Sequence, residues 1–336
     1  MTVTSLRGRT EKVTRADADA VLVVGGTGFI GGAVLRELSR THGTSDGLPR
    51  LHALSRKPMR AAEATGAHHV VGDLADPRTL RGVCSGIGTV IHAASYLGRD
   101  ARQCDAVNHA GTRALLDEAC RAGVRNFIYV STASVYGTGP HRGHREGELR
   151  TAPTSPASTS RLRAEGLVRA AGGTVLRPHL VYGVGDRWFV PTLVRMLRGV
   201  PFWPTGAPAR ISAIAVEDLA RVVAGLAWRP RSHGDGDTYH AADPRPLSME
   251  SLIARLRADL GLPEVGRLPI AEHRAQLRRV MPGLSDHQHA LLTQDHWYDA
   301  DRVWQRIGLD PGPGFEERFA ACSSWYAEHV ASRPGA

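Results

Sequence analysis

Four apolar residues, Val21-Leu22-Val23-Val24, run straight into Gly25-Gly26-Thr27-Gly28-Phe29-Ile30-Gly31-Gly32, and an amphipathic stretch, Ala33 to Arg40, follows. No other feature constrains the fold as tightly. A buried strand has to turn sharply through a G-x-x-G-x-x-G segment into a helix. Glycine permits the tight turn, the close approach of backbone to a ligand, and contact between helix and strand. The helix start presents free N–H groups and the positive end of its dipole, a ready site for phosphate. Glycines alone are a weak signal. Here they open the first βα unit of a chain that goes on alternating, which is the context that gives the pattern meaning.

The alternation continues through apolar runs at Leu51 to Leu54, His69 to Val71, Thr89 to Ile91, Asn126 to Ser131 and Gly173 to Leu176. Polar or helical stretches separate them, the longest an amphipathic segment from Ala101 to Ala122. Such a succession predicts an α/β fold, a Rossmann-like doubly wound parallel sheet with right-handed crossovers. After Arg177-Pro178 the pattern loosens. Helices are expected over Arg187 to Arg198, Glu217 to Ala227, Ser248 to Leu260 and Phe315 to His329, and a strand near Ile211 to Ala215. The expected division is a leader over 1–18 and a dinucleotide-binding domain over 19–184 with about 211–242. A smaller C-terminal substrate-binding lobe takes about 185–210 and 243–330.

The 336 residues are 42% hydrophobic and 22% charged, enough apolar material for a substantial core. No apolar run approaches the roughly 20 residues that span a bilayer, and no signal-peptide stretch opens the chain, so no membrane partner and a cytoplasmic location are expected. Cys84, Cys104, Cys120 and Cys322 lack paired spacing, and His141 and His144 sit in a polar loop without further ligands, so no metal is expected. The formal charge of +9 invites comparison with nucleic-acid binders, but the cations are spread along the chain among acids. Lys12 and Lys57 are the only lysines. That arginine bias fits a GC-rich coding sequence, and no nucleic-acid partner is expected.

One basic pair has a sharper use. The second strand ends Leu54-Ser55-Arg56-Lys57-Pro58, without the acid that would bind the ribose hydroxyls of NAD. Arg56 can grip a phosphate bidentately and Lys57 adds a second charge, which points to NADPH.

Taken together, the motifs resemble those of the extended short-chain dehydrogenase/reductases, from about Ala20 to Tyr326. The resemblance implies that Gly25, Thr27, Gly28, Phe29, Ile30 and Gly31 form the phosphate turn. In Gly72-Asp73-Leu74, Asp73 and Leu74 match the adenine-side segment. In Ile91-His92-Ala93-Ala94-Ser95, the residues Ala93, Ala94 and Ser95 lie along the cofactor. Asn108, with Gly111-Thr112, steadies the central strands, and Pro178 and Leu180 lie beside the nicotinamide. Even the tail, Tyr298-Asp299 through Ile307-Gly308 to Trp325-Tyr326, is similar to the family's. Family members often pair through a helix bundle, so a homodimer is one expectation and a monomer the other.

Counting back from Val135-Tyr136-Gly137, the family's catalytic hydroxyl corresponds to Thr132, which would support a substrate oxygen. The expected Tyr-x-x-x-Lys is missing. Aligning Pro156, Ser160 and Glu165 puts Ala157 at the tyrosine and Arg161 at the lysine, and neither lysine has a tyrosine four residues earlier. Arg161 can still donate to a ribose, but a guanidinium holds its protons too firmly to relay one. Losing a positioned general acid costs about 10²–10⁴-fold. Orientation alone can supply about 7–11 kcal/mol, so hydride transfer survives if the alkoxide finds another proton.

Three functions remain. The first is an NADPH-dependent ketoreductase whose proton comes from water or from a phenol on the substrate. The losses resemble those of atypical actinomycete ketoreductases of aromatic-polyketide (angucyclinone-type) antibiotic pathways. A flat aromatic ketone as the small-molecule partner nominates Tyr96, Trp188, Phe189, Phe202 and Trp203 as pocket aromatics, with Thr132, Ser158 and His179 as polar neighbours. The second is a non-catalytic NADP-binding regulator or scaffold. The third is a nucleotide-sugar epimerase or dehydratase, whose chemistry begins with the hydroxyl-proton removal that the tyrosine performs.

Overall fold

The computed structural model describes residues 20–41, 51–57, 65–206, 209–229 and 236–331. The expected leader and Pro58 lie outside them.

β1 (Ala20–Val24) is buried along its whole length and leads through the glycine turn into α1 (Phe29–Thr41). β2 (Leu51–Ser55), β3 (His68–Val71), β4 (Ile87–His92) and β5 (Asn126–Val130) follow. Between the last two, Ala101–Cys104, the π-helical Asp105–Ala110 and α2 (Gly111–Arg121) run on as one helical stretch. Next come β6 (His141–His144), α3 (Pro156–Ala170), β7 (Thr174–Pro178), β8 (Leu180–Tyr182) and α4 (Phe189–Gly199). The chain continues with β9 (Phe202–Pro204), β10 (Arg210–Ile211), β11 (Ala213–Ala215), α5 (Val216–Trp228) and β12 (Thr238–Ala241). It closes with β13 (Leu247–Ser248), α6 (Met249–Leu260), β14 (Gly266–Leu268), α7 (Ile270–Val280), α8 (Asp286–Thr293), β15 (His296–Tyr298), α9 (Asp301–Ile307) and α10 (Phe315–Ala331).

The central sheet has seven strands in the order β12-β7-β5-β4-β1-β2-β3, all its pairs parallel. The chain builds outward from β1 in one direction and from β4 in the other, so the order reverses between them. A parallel sheet needs cover on both faces. One face carries α1, α5 and α9 through Val34, Leu38, Leu219, Val223 and Ile307. The other carries α2 and α3 through Leu115, Ala119, Ala164 and Val168.

A third core gathers Val190, Leu193, Trp203, Leu252 and Phe319 from the C-terminal part of the chain. A four-stranded sheet runs β13-β10-β15-β6. Two local readings change here. His141–His144, read as loop, is β6 and pairs with β15. That short polar strand shows no apolar alternation, because its partner comes from about 150 residues away. The single strand near Ile211 to Ala215 is two, β10 pairing with β13 and β15, and β11 pairing with β8. Ser212 divides them: its N–H donates to His296 O at 2.9 Å and its Oγ accepts from Tyr298 N at 3.0 Å.

Candidate functional site

In an open α/β sheet, ligands bind outside the carboxyl ends of the strands where the strand order reverses. Here that is the exit of β1 and β4. Gly25 has φ +88°, and a Cβ on it would stand 2.8 Å from the backbone of Ala94. A Cβ on Gly31 would stand 2.2 Å from Gly25 O, so helix and turn could not close. Gly25 N donates to Leu54 O at 3.1 Å and Gly28 N to Gly25 O at 2.9 Å, fixing the turn against β2. Thr27 and Gly28 are exposed above it, with Phe29 and Ile30 half-buried at the helix start. The first N–H groups of a helix have no partner within it. This is a cradle that side chains would fill, and it suits the pyrophosphate of a dinucleotide.

The flanks follow from the same edge. Arg56 and Lys57 are exposed at the end of β2. Asp73 accepts from Ala75 N at 2.9 Å, which holds its carboxylate within its own turn, and Leu74 is buried beneath Gly111. Ala93, Ala94 and Ser95 leave β4 half-buried. Asn108, in the π-helical turn, uses its whole amide inside the protein. Its Oδ1 accepts from Ser95 Oγ at 3.2 Å and Tyr96 N at 2.7 Å. Its Nδ2 donates to Tyr96 O at 2.9 Å and Ser160 Oγ at 3.0 Å. Asn108 thus ties the loop after β4 to α3. Pro178 ends β7, buried, and Leu180 is half-buried in β8 opposite Ala213.

Thr132 lies one residue beyond Ser131, whose N–H donates to Leu176 O at 2.7 Å. It therefore emerges at the carboxyl edge beside the end of β7. Its Oγ1 accepts from Ser134 N at 3.1 Å, and its own proton has no acceptor among the described residues. A half-buried hydroxyl so oriented can donate to a ligand oxygen.

On α3, Ala157 carries only a methyl group and is half-buried. Arg161 turns toward the sheet: Nη2 donates to Val130 O at 3.0 Å, and Nε is buried without a partner among the described residues. Neither nearby phenol takes the vacant role. Tyr129 is fully buried beside His92, and burial pushes it up to about 12. Tyr136 is bound on both sides, accepting from Arg177 Nη1 at 2.8 Å and lying 2.6 Å from His240 Nε2. His92 is itself buried, driven down to about 3 by desolvation and then by the Arg161 charge.

The structure revises several expected substrate contacts. Ser158 is the third residue of α3 and closes a capping box with Ser155: its Oγ accepts from Ser155 N at 3.2 Å, and it is buried. Helix-start hydroxyls satisfy orphan N–H groups, and this one is spent there. Phe189 opens α4 and is buried in the C-terminal core, as is Trp203. Phe189 sits on the face of α4 that turns inward with Val190, Leu193 and Val194. Phe202 is half-buried and packs against that same core. Trp188, one residue earlier than Phe189, is 63% exposed. Its loop reaches the phosphate turn, since a Cβ on Gly185 would lie 3.2 Å from the ring of Phe29. Tyr96 is half-buried and lies over Gly98. His179 is half-buried, stacks on His296 at 5.8 Å, and has both ring nitrogens buried without partners among the described residues. Burial, then the neighbouring His296, holds it well below the usual histidine value.

The sequence concealed one network. Arg177 Nε donates to Glu165 Oε1 at 3.0 Å and Nη2 to Oε2 at 2.5 Å, while Ser131 Oγ donates to Oε1 at 2.6 Å. This buried pair braces the strand end that carries Thr132. No spacing rule links residues on a helix, a strand and a strand end.

Residues 21–242 match the NAD dependent epimerase/dehydratase family. Over 325 residues the chain is 28% identical to the 2-alkyl-3-oxoalkanoate reductase of Stenotrophomonas maltophilia, covering 88% of this chain and 96% of that protein. It is also 28% identical, over 75% of its length and 77% of the relative's, to the 4-hydroxy-2-methyl-3-oxo-4-farnesyl-3,4-dihydroquinoline-1-oxide ketoreductase of Stigmatella aurantiaca. Among solved structures, the dTDP-glucose 4,6-dehydratase of Streptomyces venezuelae, crystallised with NAD, superposes with a TM-score of 0.71. That match, at 22% identity over 93% of this chain and 98% of the other, establishes the likeness of fold.

Proposed function

Since this chain belongs to the NAD dependent epimerase/dehydratase family, we propose that it is an NADPH-dependent ketoreductase of an aromatic polyketide. The ketone is of the angucyclinone type, as in simocyclinone-like antibiotics. The observation that carries the reading is the asymmetry of the site. The hydroxyl that supports a carbonyl oxygen is present and free at Thr132, whereas the group that removes a hydroxyl proton is a methyl at Ala157. Epimerases and dehydratases begin by that removal; ketone reduction ends with a proton that other sources can give. The two relatives named as reductases support the same direction.

Bound NADPH would supply the hydride. The protein's part is to hold the dinucleotide on Gly25–Gly31 with Arg56 and Lys57 on its phosphate. Thr132 donates to the carbonyl oxygen as charge develops there. The proton comes from a phenol hydrogen-bonded to the same carbonyl, or from water, so that ketone, hydride and one proton give the alcohol. Trp188 and Tyr96 offer aromatic faces at the pocket rim.

The test mixes purified protein with NADPH and aromatic ketones, with and without a phenol beside the carbonyl, and identifies products. Turnover of the aromatic ketones, reduced about 10²-fold in Thr132→Ala, is expected; its confinement to the phenol-bearing ketones would assign the proton to the phenol, and equal turnover without the phenol would assign it to water. Cofactor binding without turnover on any ketone would instead favour a regulator or scaffold, and conversion of a nucleotide sugar would refute the proposal outright.

A further inference from the structure

The turn after β2 is braced from beneath. Arg56 and Lys57 are exposed, and neither side chain has a partner among the described residues. Ser55, only 8% exposed, donates its single hydroxyl proton to Lys57 O at 2.7 Å. Its oxygen must then act as acceptor toward His69 Nε2, 3.0 Å away, so His69 presents Nε2–H there. His69 lies half-buried on β3, the neighbouring strand. A second tie, Gly72 N to Ser55 O at 3.3 Å, joins the exit of β3 to the same residue. The braced turn stands next to the phosphate turn, through Gly25 N to Leu54 O.

We infer that His69, acting through Ser55, is a positioning residue that makes the site selective for a cofactor phosphorylated on its adenosine ribose. This rests on the NADPH reading above. The physical argument concerns order. Two long cations on an exposed turn must surrender backbone freedom to close on a phosphate, and a turn already held by Ser55 and His69 has less to lose. Both links of the brace point at the backbone carrying the cations, and neither points at the glycine cradle. Its loss therefore weakens the hold on the ribose phosphate and leaves the pyrophosphate site intact. His69 touches no ligand in this arrangement; it fixes the carbonyl of Lys57 and hence the direction of Arg56 and Lys57.

Calorimetric titration with adenosine 2′,5′-bisphosphate and with adenosine 5′-monophosphate isolates the effect without any turnover. The wild-type protein is expected to bind the bisphosphate more tightly, and Arg56→Ala to abolish that preference. His69→Ala is expected to weaken the bisphosphate about five- to tenfold while changing the monophosphate less than twofold. His69→Gln, which keeps a side-chain N–H donor, should recover most of the loss. If His69→Ala misfolds, Ser55→Ala removes the same link from the other side and carries the same expectation. Equal weakening of both nucleotides, or none of either, in a preference-bearing wild type would overturn the brace alone. A wild type without preference would overturn the NADPH reading, and the inference with it.

Discussion

Replacing Arg177 with leucine probes whether the site's frame is set by one buried ion pair. The side chains are 6% and 0% exposed for Arg177 and Glu165, so almost no solvent screens them. In Arg177→Leu, the Glu165 carboxylate loses both guanidinium bonds and keeps only the Ser131 hydroxyl. Breaking a buried pair from one side costs about 3–5 kcal/mol, because an uncompensated charge stays behind. Glu165→Leu strands the guanidinium on the Tyr136 hydroxyl alone, with a loss of about the same size. The double variant Glu165→Leu/Arg177→Leu removes both charges, and apolar replacement of such pairs is often near neutral. Urea unfolding of the four proteins should therefore give a double variant more stable than either single one, which requires a coupling larger than either single loss, above about 3–5 kcal/mol. Losses that simply add to within about 0.5 kcal/mol would refute the reasoning, since the two groups would then be independent.

Three further outcomes are expected. Gly25→Ala places a methyl 2.8 Å from the Ala94 backbone at a φ of +88°, so it should abolish dinucleotide binding measured by fluorescence titration. Unchanged affinity would mean the turn is not the cradle. Ser158→Ala should lower stability by about 1 kcal/mol through the lost capping box and leave kcat unchanged; a selective fall in kcat would restore Ser158 to the substrate site. On acidification, His92 (about 3), His240, His289 and His296 (each about 4) stay neutral in the folded protein because burial depresses them. The unfolded chain binds those protons first, near pH 6.5, so stability is complete above that value and falls as pH drops toward 4. Each histidine contributes up to about 1.4 kcal/mol per pH unit across that window, and a flat unfolding free energy between pH 6.5 and 5 would contradict it.

The sequence by itself determined the first half of this molecule. The glycine turn, the buried run of β1 and the recurring strand–helix spacing dictate a parallel sheet, because those signals are local and each is read within a dozen residues. It also determined that position 157 carries a methyl group and position 132 a hydroxyl, since residue identity decides which groups can carry a proton. Only the tertiary structure decided what the polar residues do. Ser158 could have faced a substrate, but its place at the start of α3 gives its hydroxyl to the backbone. Phe189 and Trp188 are neighbours in sequence, yet Phe189 opens α4 and turns into the core while Trp188, in the loop before the helix, is exposed. Glu165, Arg177, Tyr136 and His240 come from four separate elements and meet only when α3 lies on β5 and β7 and β12 joins the edge. Short polar strands such as β6 carry no periodic signal, because what makes them strands is a partner far along the chain. Local pattern can be read residue by residue; long-range pairing depends on which surfaces the folded chain brings together.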